Sequence, residues 1–311
     1  MPTFDSARTV TRALRSVLAQ TYQHFEIIVA DDASTDGTKQ IVEAIADPRI
    51  TFHTSVDKAN QGPAVARNRA LAMARGVYVA FLDSDDEWLA EKLRREVQFL
   101  DAHPDCSMVV GNAYDISAEG EIIEKEFDST PAISGPDAWR TLLKYSFIET
   151  SSVMARIALV REVGGFDPKL LISQDQDLWI RLALRGEVGI IDDVLGKIHQ
   201  VPTSHMTRNR HRQADFMLPM IERHVARLRE RLSQHEVDEI LGHRYQVVGR
   251  DLFRHGYYSL GLKLIARACR SNGNWLGNLF HLSHANPFGA AVKRVIRHRG
   301  AQRETMCVGK T

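Results

Sequence analysis

The chain has 311 residues, 44% of them hydrophobic and 25% charged, which is ordinary for a globular protein with a large buried core. It contains no run of eighteen apolar residues, and Met1-Pro2-Thr3-Phe4-Asp5 lacks the basic and apolar stretches of a signal peptide, so a cytoplasmic protein is expected. Net charge is only +1, but residues 1–207 carry 21 Lys+Arg against 31 Asp+Glu, whereas residues 208–311 carry 19 against 8. An acidic front suits a site that holds a cation. A basic rear suits either an anionic partner or a solvated helical surface. Cys106, Cys269 and Cys307 are odd in number and scattered, which argues for reduced thiols and against a disulfide framework or a CxxC metal site.

In chain order, Ser6 precedes a helical pattern carried by Val10, Leu14, Val17 and Leu18. Phe25 to Ala30 forms a short apolar run ending in Asp31-Asp32, a buried strand opening into a loop. Asp36-Gly37-Thr38 then starts a helix with Ile41, Val42 and Ile45, and Ile50 to His53 reads as a second strand. Pro63 marks the first turn of a helix that runs to Ala74. Val77 to Leu82 is the clearest strand and runs directly into Asp83-Ser84-Asp85-Asp86. A helix from Trp88 to about Leu100 and a strand at Met108-Val109-Val110 follow. Strands alternating with helices predict an α/β fold with a mostly parallel sheet and ligands beyond the carboxyl ends of its strands, where both acidic clusters fall. After residue 208 only helices are expected, over 216–232, 237–252 and 257–268, so two domains are predicted, 1–207 and a basic helical subdomain 208–311.

Three acidic positions carry chemistry. In the turn after Leu82, Asp85 or Asp86 facing outward would hold Mg²⁺ or Mn²⁺ through oxygen, together with substrate phosphates; a solvated turn or helix cap is the alternative. Asp31-Asp32 offers an acceptor for a nucleobase amide or ribose hydroxyl, or else an Asx turn. Asp175, near a helix start, would be held ionised and oriented by the helix dipole, as a general base or as a simple end charge.

The set as a whole resembles family 2 GT-A glycosyltransferases over about residues 1–207. The resemblance rests on Pro2 to Asp5, Ser16 to Tyr22, Phe25 to Val29 with Asp31 to Thr38, Gly62 to Asn68, Phe81 to Trp88, Gly164 to Asp167 and Gln174 to Arg181, in matching order and spacing. It implies that Pro2, Phe4 and Asp32 hold the nucleoside, and that Asp83, Asp85 and Asp86 meet ribose and the metal–diphosphate. It further implies that Arg67 runs under the donor sugar or diphosphate, that Asp175 is the general base, and that His199 lies near the metal, with His205 competing for that place. The reaction implied is inverting transfer of a sugar from a nucleotide diphosphate to a hydroxyl acceptor, with Mg²⁺ or Mn²⁺ as cofactor. Acceptors in the family are often lipid-linked, its commonest setting is polysaccharide or glycolipid assembly, and the basic rear then suits peripheral contact with an anionic membrane at its inner face.

Two departures stand out. The apolar strand that usually precedes the Pro2 motif is absent from the middle of the sheet, which leads us to expect a start assigned about ten residues late. Gln174 stands where many relatives carry Glu. A nucleotidyltransferase would show a glycine-rich basic loop near the first strand, which is missing here. A decayed transferase domain serving as scaffold is the reading from another class. Nucleic-acid binding lacks a recognition motif or an aromatic stacking set.

Overall fold

The computed structural model describes residues 1–55, 59–127, 133–200 and 210–272. The first elements are β1 (Pro2–Thr3), α1 (Val10–Leu18), β2 (Ile27–Asp31), α2 (Thr38–Glu43), β3 (Ile50–Thr54), α3 (Pro63–Met73) and β4 (Tyr78–Ala80). Then come β5 (Glu87–Trp88), α4 (Lys92–Ala102), β6 (Cys106–Ile116), β7 (Ile122–Lys125), α5 (Ala138–Lys144), β8 (Val153–Arg156), α6 (Ile157–Glu162), α7 (Gln174–Ala183) and β9 (Glu187–His199). Helices α8 (Met217–Arg227), α9 (Gln234–Arg254) and α10 (Tyr258–Asn272) close the described chain. Two compact units divide at Arg244 and Tyr245; the border expected at 207/208 lies outside the described residues.

Helix α1 forms as its spacing predicts: Val10, Ala13, Leu14 and Val17 recur at i, i+3, i+4 and i+7 and all are buried. Helix α3 starts at Pro63 behind Gly62, whose φ of 92° is a conformation reserved for glycine. Strands β1, β2 and β3 are parallel, as βαβ connections require. The second sheet, ordered β4-β8-β6-β9-β5 with β7 beside β6, is mixed: β6–β9 is parallel and its other pairs are antiparallel. The antiparallel pairs all involve β7, β8 or the β5–β9 edge, stretches whose sequence shows no strand pattern. Trp88 likewise lies in β5, paired to β9 through Gly196, and the helix begins later, at Lys92.

The Pro2 motif itself forms the two-residue strand β1, which pairs with Ala30 and Asp31 of β2. Behind it the two sheets share no ladder. A cavity of about 540 Å³ lies there, lined by Ile27 and Ile28 of β2, Tyr78 and Val79 of β4, Leu71 and Met1. The Met1 ammonium donates to Ile28 O at 2.9 Å, and burial pushes it down to about 5.

The Gly164-Gly165-Phe166 motif clamps α3 to the ground below the site. Asn68 donates from Nδ2 to Phe166 O at 2.8 Å and accepts from Phe166 N at 2.9 Å. Gly165 sits at φ 66°, and a Cβ there would meet Asn68 Oδ1 at 2.6 Å. Gly165→Ala is therefore expected to cost about 2 kcal/mol through left-handed strain and loss of this clamp, measured by urea unfolding. An unchanged midpoint would show that the loop relaxes without penalty.

Candidate active site

The acidic turn follows buried Phe81 and Leu82 and is closed by Asp86 N donating to Asp83 O at 3.2 Å. Its three carboxylates face different partners. Asp83 accepts from Arg67 Nη2 at 2.5 Å, while its own N–H donates to Ser151 Oγ at 3.0 Å. Asp86 is buried: its Oδ1 accepts the His199 N–H at 2.9 Å and its Oδ2 accepts the Ser151 hydroxyl. Burial, then Asp85 and Asp83, hold its carboxyl well above the usual range. Asp85 is gripped through its main chain, where Arg12 donates to its carbonyl. Its carboxyl is pushed up to about 6 by burial and by Asp83.

No three His, Cys, Asp or Glu side chains converge as a closed metal cage among the described residues. The donor set nevertheless fits a hard divalent cation held by one or two carboxylates plus substrate phosphates. Asp85 is a carboxylate whose charge the protein itself leaves poorly compensated. Asp86 and His199, expected as further ligands, have engaged groups: the His199 ring Nε2 lies 2.7 Å from Glu87 Oε1.

Linkage supplies a test of Asp85. A carboxyl raised in the folded state binds more protons there than when unfolded, so it opposes folding above about pH 6 and has no effect below its unfolded value. Asp85→Asn should therefore stabilise the metal-free protein at pH 7 by about 1–3 kcal/mol, and not at pH 3.5. Thermal melts with chelator check this; destabilisation at pH 7 would contradict it.

Around the residues expected to hold the nucleoside, the loop after β1 is stitched to the loop after β2: Asp5 N donates to Ser34 Oγ at 2.9 Å and Thr35 N to Asp5 Oδ1 at 2.8 Å. Pro2 is fixed by its register with Ala30, and Phe4 is 47% exposed, an apolar ring left in solvent. Asp31 is structural, accepting from Thr3, Ser34 and Thr54 hydroxyls. Asp32 accepts the N–H groups of Gln61 and Gly62 at 2.9 and 2.7 Å and faces Arg69 at 3.4 Å, so it shapes the loop that enters α3.

Arg67 is the pivot. Its guanidinium is buried, 5.3 Å from the Phe166 ring centroid; one nitrogen serves Asp83, and Nε and Nη1 have no hydrogen-bond partner among the described residues. Two orphaned, buried N–H donors beside an acidic turn fit an anionic oxygen of a ligand.

Asp175 stands at the first residues of α7. Its Oδ2 accepts from Thr150 Oγ1 at 3.2 Å and its Oδ1 from Gln176 N at 2.7 Å. The helix start was expected to hold it ionised, but burial outweighs that and raises its carboxyl, with Arg67 the largest opposing influence. Two residues on, Asp177 anchors the helix by bonds to His224 Nε2 and Arg181 Nε, both at 2.8 Å. Gln174 is buried, and its Oε1 has no hydrogen-bond partner among the described residues.

Sequence reasoning missed the 3₁₀ turn Thr150–Ser152 and Glu149 before it. Ser151 bridges Asp83 and Asp86 and accepts Trp88 Nε1–H at its carbonyl, 2.9 Å; Thr150 orients Asp175. Glu149 is pushed up to about 7 by burial and then by Asp175. The run Glu149-Thr150-Ser151-Ser152 was the available signal, with its hydroxyls suited to bonding a nearby turn. His205 lies outside the described residues.

Residues 1–159 match the family model described as glycosyl transferase family 2. The chain belongs to this family. Among curated family relatives is an Escherichia coli protein, UDP-Glc:alpha-D-GlcNAc-diphosphoundecaprenol beta-1,3-glucosyltransferase WfaP. It is 30% identical over 212 residues, covering 68% of this chain and 79% of that protein. Among solved structures, the mannosyltransferase PcManGT from Pyrobaculum calidifontis in complex with GDP-Man and Mn²⁺ superimposes with a TM-score of 0.62 at 19% identity, over 99% of this chain and 86% of that one. S. aureus TarS 1–349 in complex with UDP gives 0.56 at 21% identity, over 89% and 88%. At these identities the structures show a shared fold, the GT-A-like α/β fold expected from the resemblance. No helix of the described residues is long and apolar enough to cross a membrane.

Proposed function

We propose that this chain is a metal-dependent, inverting glycosyltransferase that moves a sugar from a nucleotide diphosphate to a hydroxyl of a saccharide or lipid-linked acceptor, in polysaccharide or glycolipid assembly. The observation that carries the reading is Arg67. It is bonded to Asp83, close enough to Asp175 to favour its charged form, and keeps two buried donors for a donor oxygen. Phe4 and Pro2 offer an apolar seat for the nucleoside, with Asp32 fixing the loop behind it. Asp83 faces ribose, and Asp85 holds the cation, with Asp86 and His199 backing it.

A bound Mg²⁺ or Mn²⁺ supplies neutralisation of charge on the departing diphosphate. Asp175 takes the acceptor proton, and burial, by raising its carboxyl above the ordinary aspartate range, makes it a stronger base once ionised. Inversion requires this base on the face of the sugar opposite the leaving group. The names of the E. coli relative and of the UDP, GDP-Man and Mn²⁺ complexes support a nucleotide-sugar donor and an acceptor of the diphosphate-lipid type. In this reading the domain spans 1–207, and the basic rear 208–311 meets anionic membrane from the cytoplasmic side. Salt-sensitive sedimentation with anionic vesicles, absent with neutral ones, is the expected behaviour of that contact.

The test is product analysis with UDP-, GDP- and dTDP-sugars and a diphosphate-lipid saccharide acceptor. Release of nucleoside diphosphate with an elongated acceptor supports transfer. Pyrophosphate release would point to nucleotidyl chemistry, and no turnover by folded protein with any pair would favour the scaffold reading.

A further inference from the structure

An open cleft of about 500 Å³ runs along α1, floored by Trp88 and lined by Arg8, Thr11, Arg12, Arg15, Ser16 and Glu87. Three guanidiniums at i, i+4 and i+7 share this space within the acidic part of the chain, residues 1–207. One carboxylate, Glu87, lines it with them. That carboxylate is already divided among Arg12 at 3.5 Å, Lys197 at 3.9 Å and His199 at 2.7 Å. Arg8 and Arg15 are exposed and have no carboxylate partner among the described residues, whereas the buried Arg12 Nε makes no hydrogen bond among them and faces Glu87 at 3.5 Å. Ser16 is committed, donating to Ala13 O and accepting from Trp88 N, which leaves the Thr11 hydroxyl beside the arginines as a further donor.

The lining residues thus carry three positive charges against one negative, a surplus that a dianion matches. Guanidinium forks suit phosphate oxygens bidentately, and a tetrahedral phosphate accepts from more directions than a planar carboxylate. The space exceeds what a lone phosphate fills, leaving room for the group it is attached to. We propose that this cavity binds a phosphate dianion carried as a monoester or diphosphate, separately from the site formed by Asp85, Arg67 and Asp175. Arg12 ties the two together: it lines the cavity, donates to the Asp85 carbonyl and faces Glu87, which holds the His199 ring.

The experiment compares the full chain with Arg8→Ala/Arg15→Ala, a pair of exposed side chains whose loss leaves the core intact, as an unchanged melting temperature would show. In one arm, pyrophosphate is titrated calorimetrically with chelator present, alongside Asp85→Asn as a control for the other site. In the second arm, protein is sedimented with phosphatidylcholine vesicles with or without phosphatidic acid. Binding that weakens about tenfold or more in the double variant but persists in Asp85→Asn supports the cavity and a soluble phosphate. Phosphatidic acid binding lost in the double variant supports the cavity and a lipid headgroup. If neither arm distinguishes the double variant from wild type, the proposal is overturned, whatever the outcome of the transfer assay.

Discussion

Asp175→Asn is expected to lower sugar transfer about 10²–10⁴-fold while leaving the affinity for nucleoside diphosphate within a few-fold of wild type. The carboxamide keeps the size of the side chain and can still accept the Gln176 N–H, so α7 should start as before. What it loses is the capacity to take a proton. Because burial raises this carboxyl, the wild-type rate should climb with pH through a value above the ordinary aspartate range, where the base becomes ionised. In Asp175→Asn that limb should disappear from the residual rate. Steady-state kinetics across pH 4.5–8 with parallel calorimetry separates the two roles. Equal loss of transfer and nucleotide binding would make Asp175 a structural residue.

Arg67→Ala should damage both stability and donor binding. The guanidinium is 6% exposed and compensates Asp83, so its removal strands a carboxylate; the cost is about 2–3 kcal/mol, at the low side for buried pairs because Asp83 keeps solvent contact. The melting temperature should fall by about 5 °C. Asp175 also loses its largest charge-favouring neighbour, so the acid limb of the rate profile should move to higher pH. Loss of the orphaned donors should weaken nucleoside diphosphate binding about a hundredfold, if Nε and Nη1 each meet a phosphate oxygen. Arg67→Lys keeps the charge but not the fork, and should recover stability more than affinity. An Arg67→Ala protein that melts lower yet binds normally would confine Arg67 to a structural role.

The front of the molecule was legible because its elements are local and periodic. Val10 to Val17 on α1, the apolar run of β2 and Pro63 on α3 each follow from spacing or a single residue type. The glycine pair before Phe166 was visible as a motif, and the structure supplies its reason in the Asn68 clamp. The second sheet was not legible: β8 pairs antiparallel and β9 parallel with β6 across long separations, β8 is only four residues long, and the mixed burial of β9 carries no clean alternation. Which of the consecutive aspartates faces outward was equally hidden. Turn geometry decides it, and here Ser151 and the His199 N–H draw Asp86 inward while Arg12 holds Asp85 through its carbonyl. Glu149 escaped notice because only the hydroxyl run after it marks the turn locally; its carboxyl is raised by burial in the folded chain and then by Asp175.

The most direct test is calorimetric titration of wild type and Asp85→Asn with UDP, GDP, dTDP and CDP, each with Mn²⁺ or Mg²⁺ and again with chelator. The account predicts that wild type binds one of these diphosphates with metal, and loses at least most of that affinity with chelator or in Asp85→Asn. Binding indifferent to metal and to Asp85, or no binding by folded wild-type protein, would contradict it.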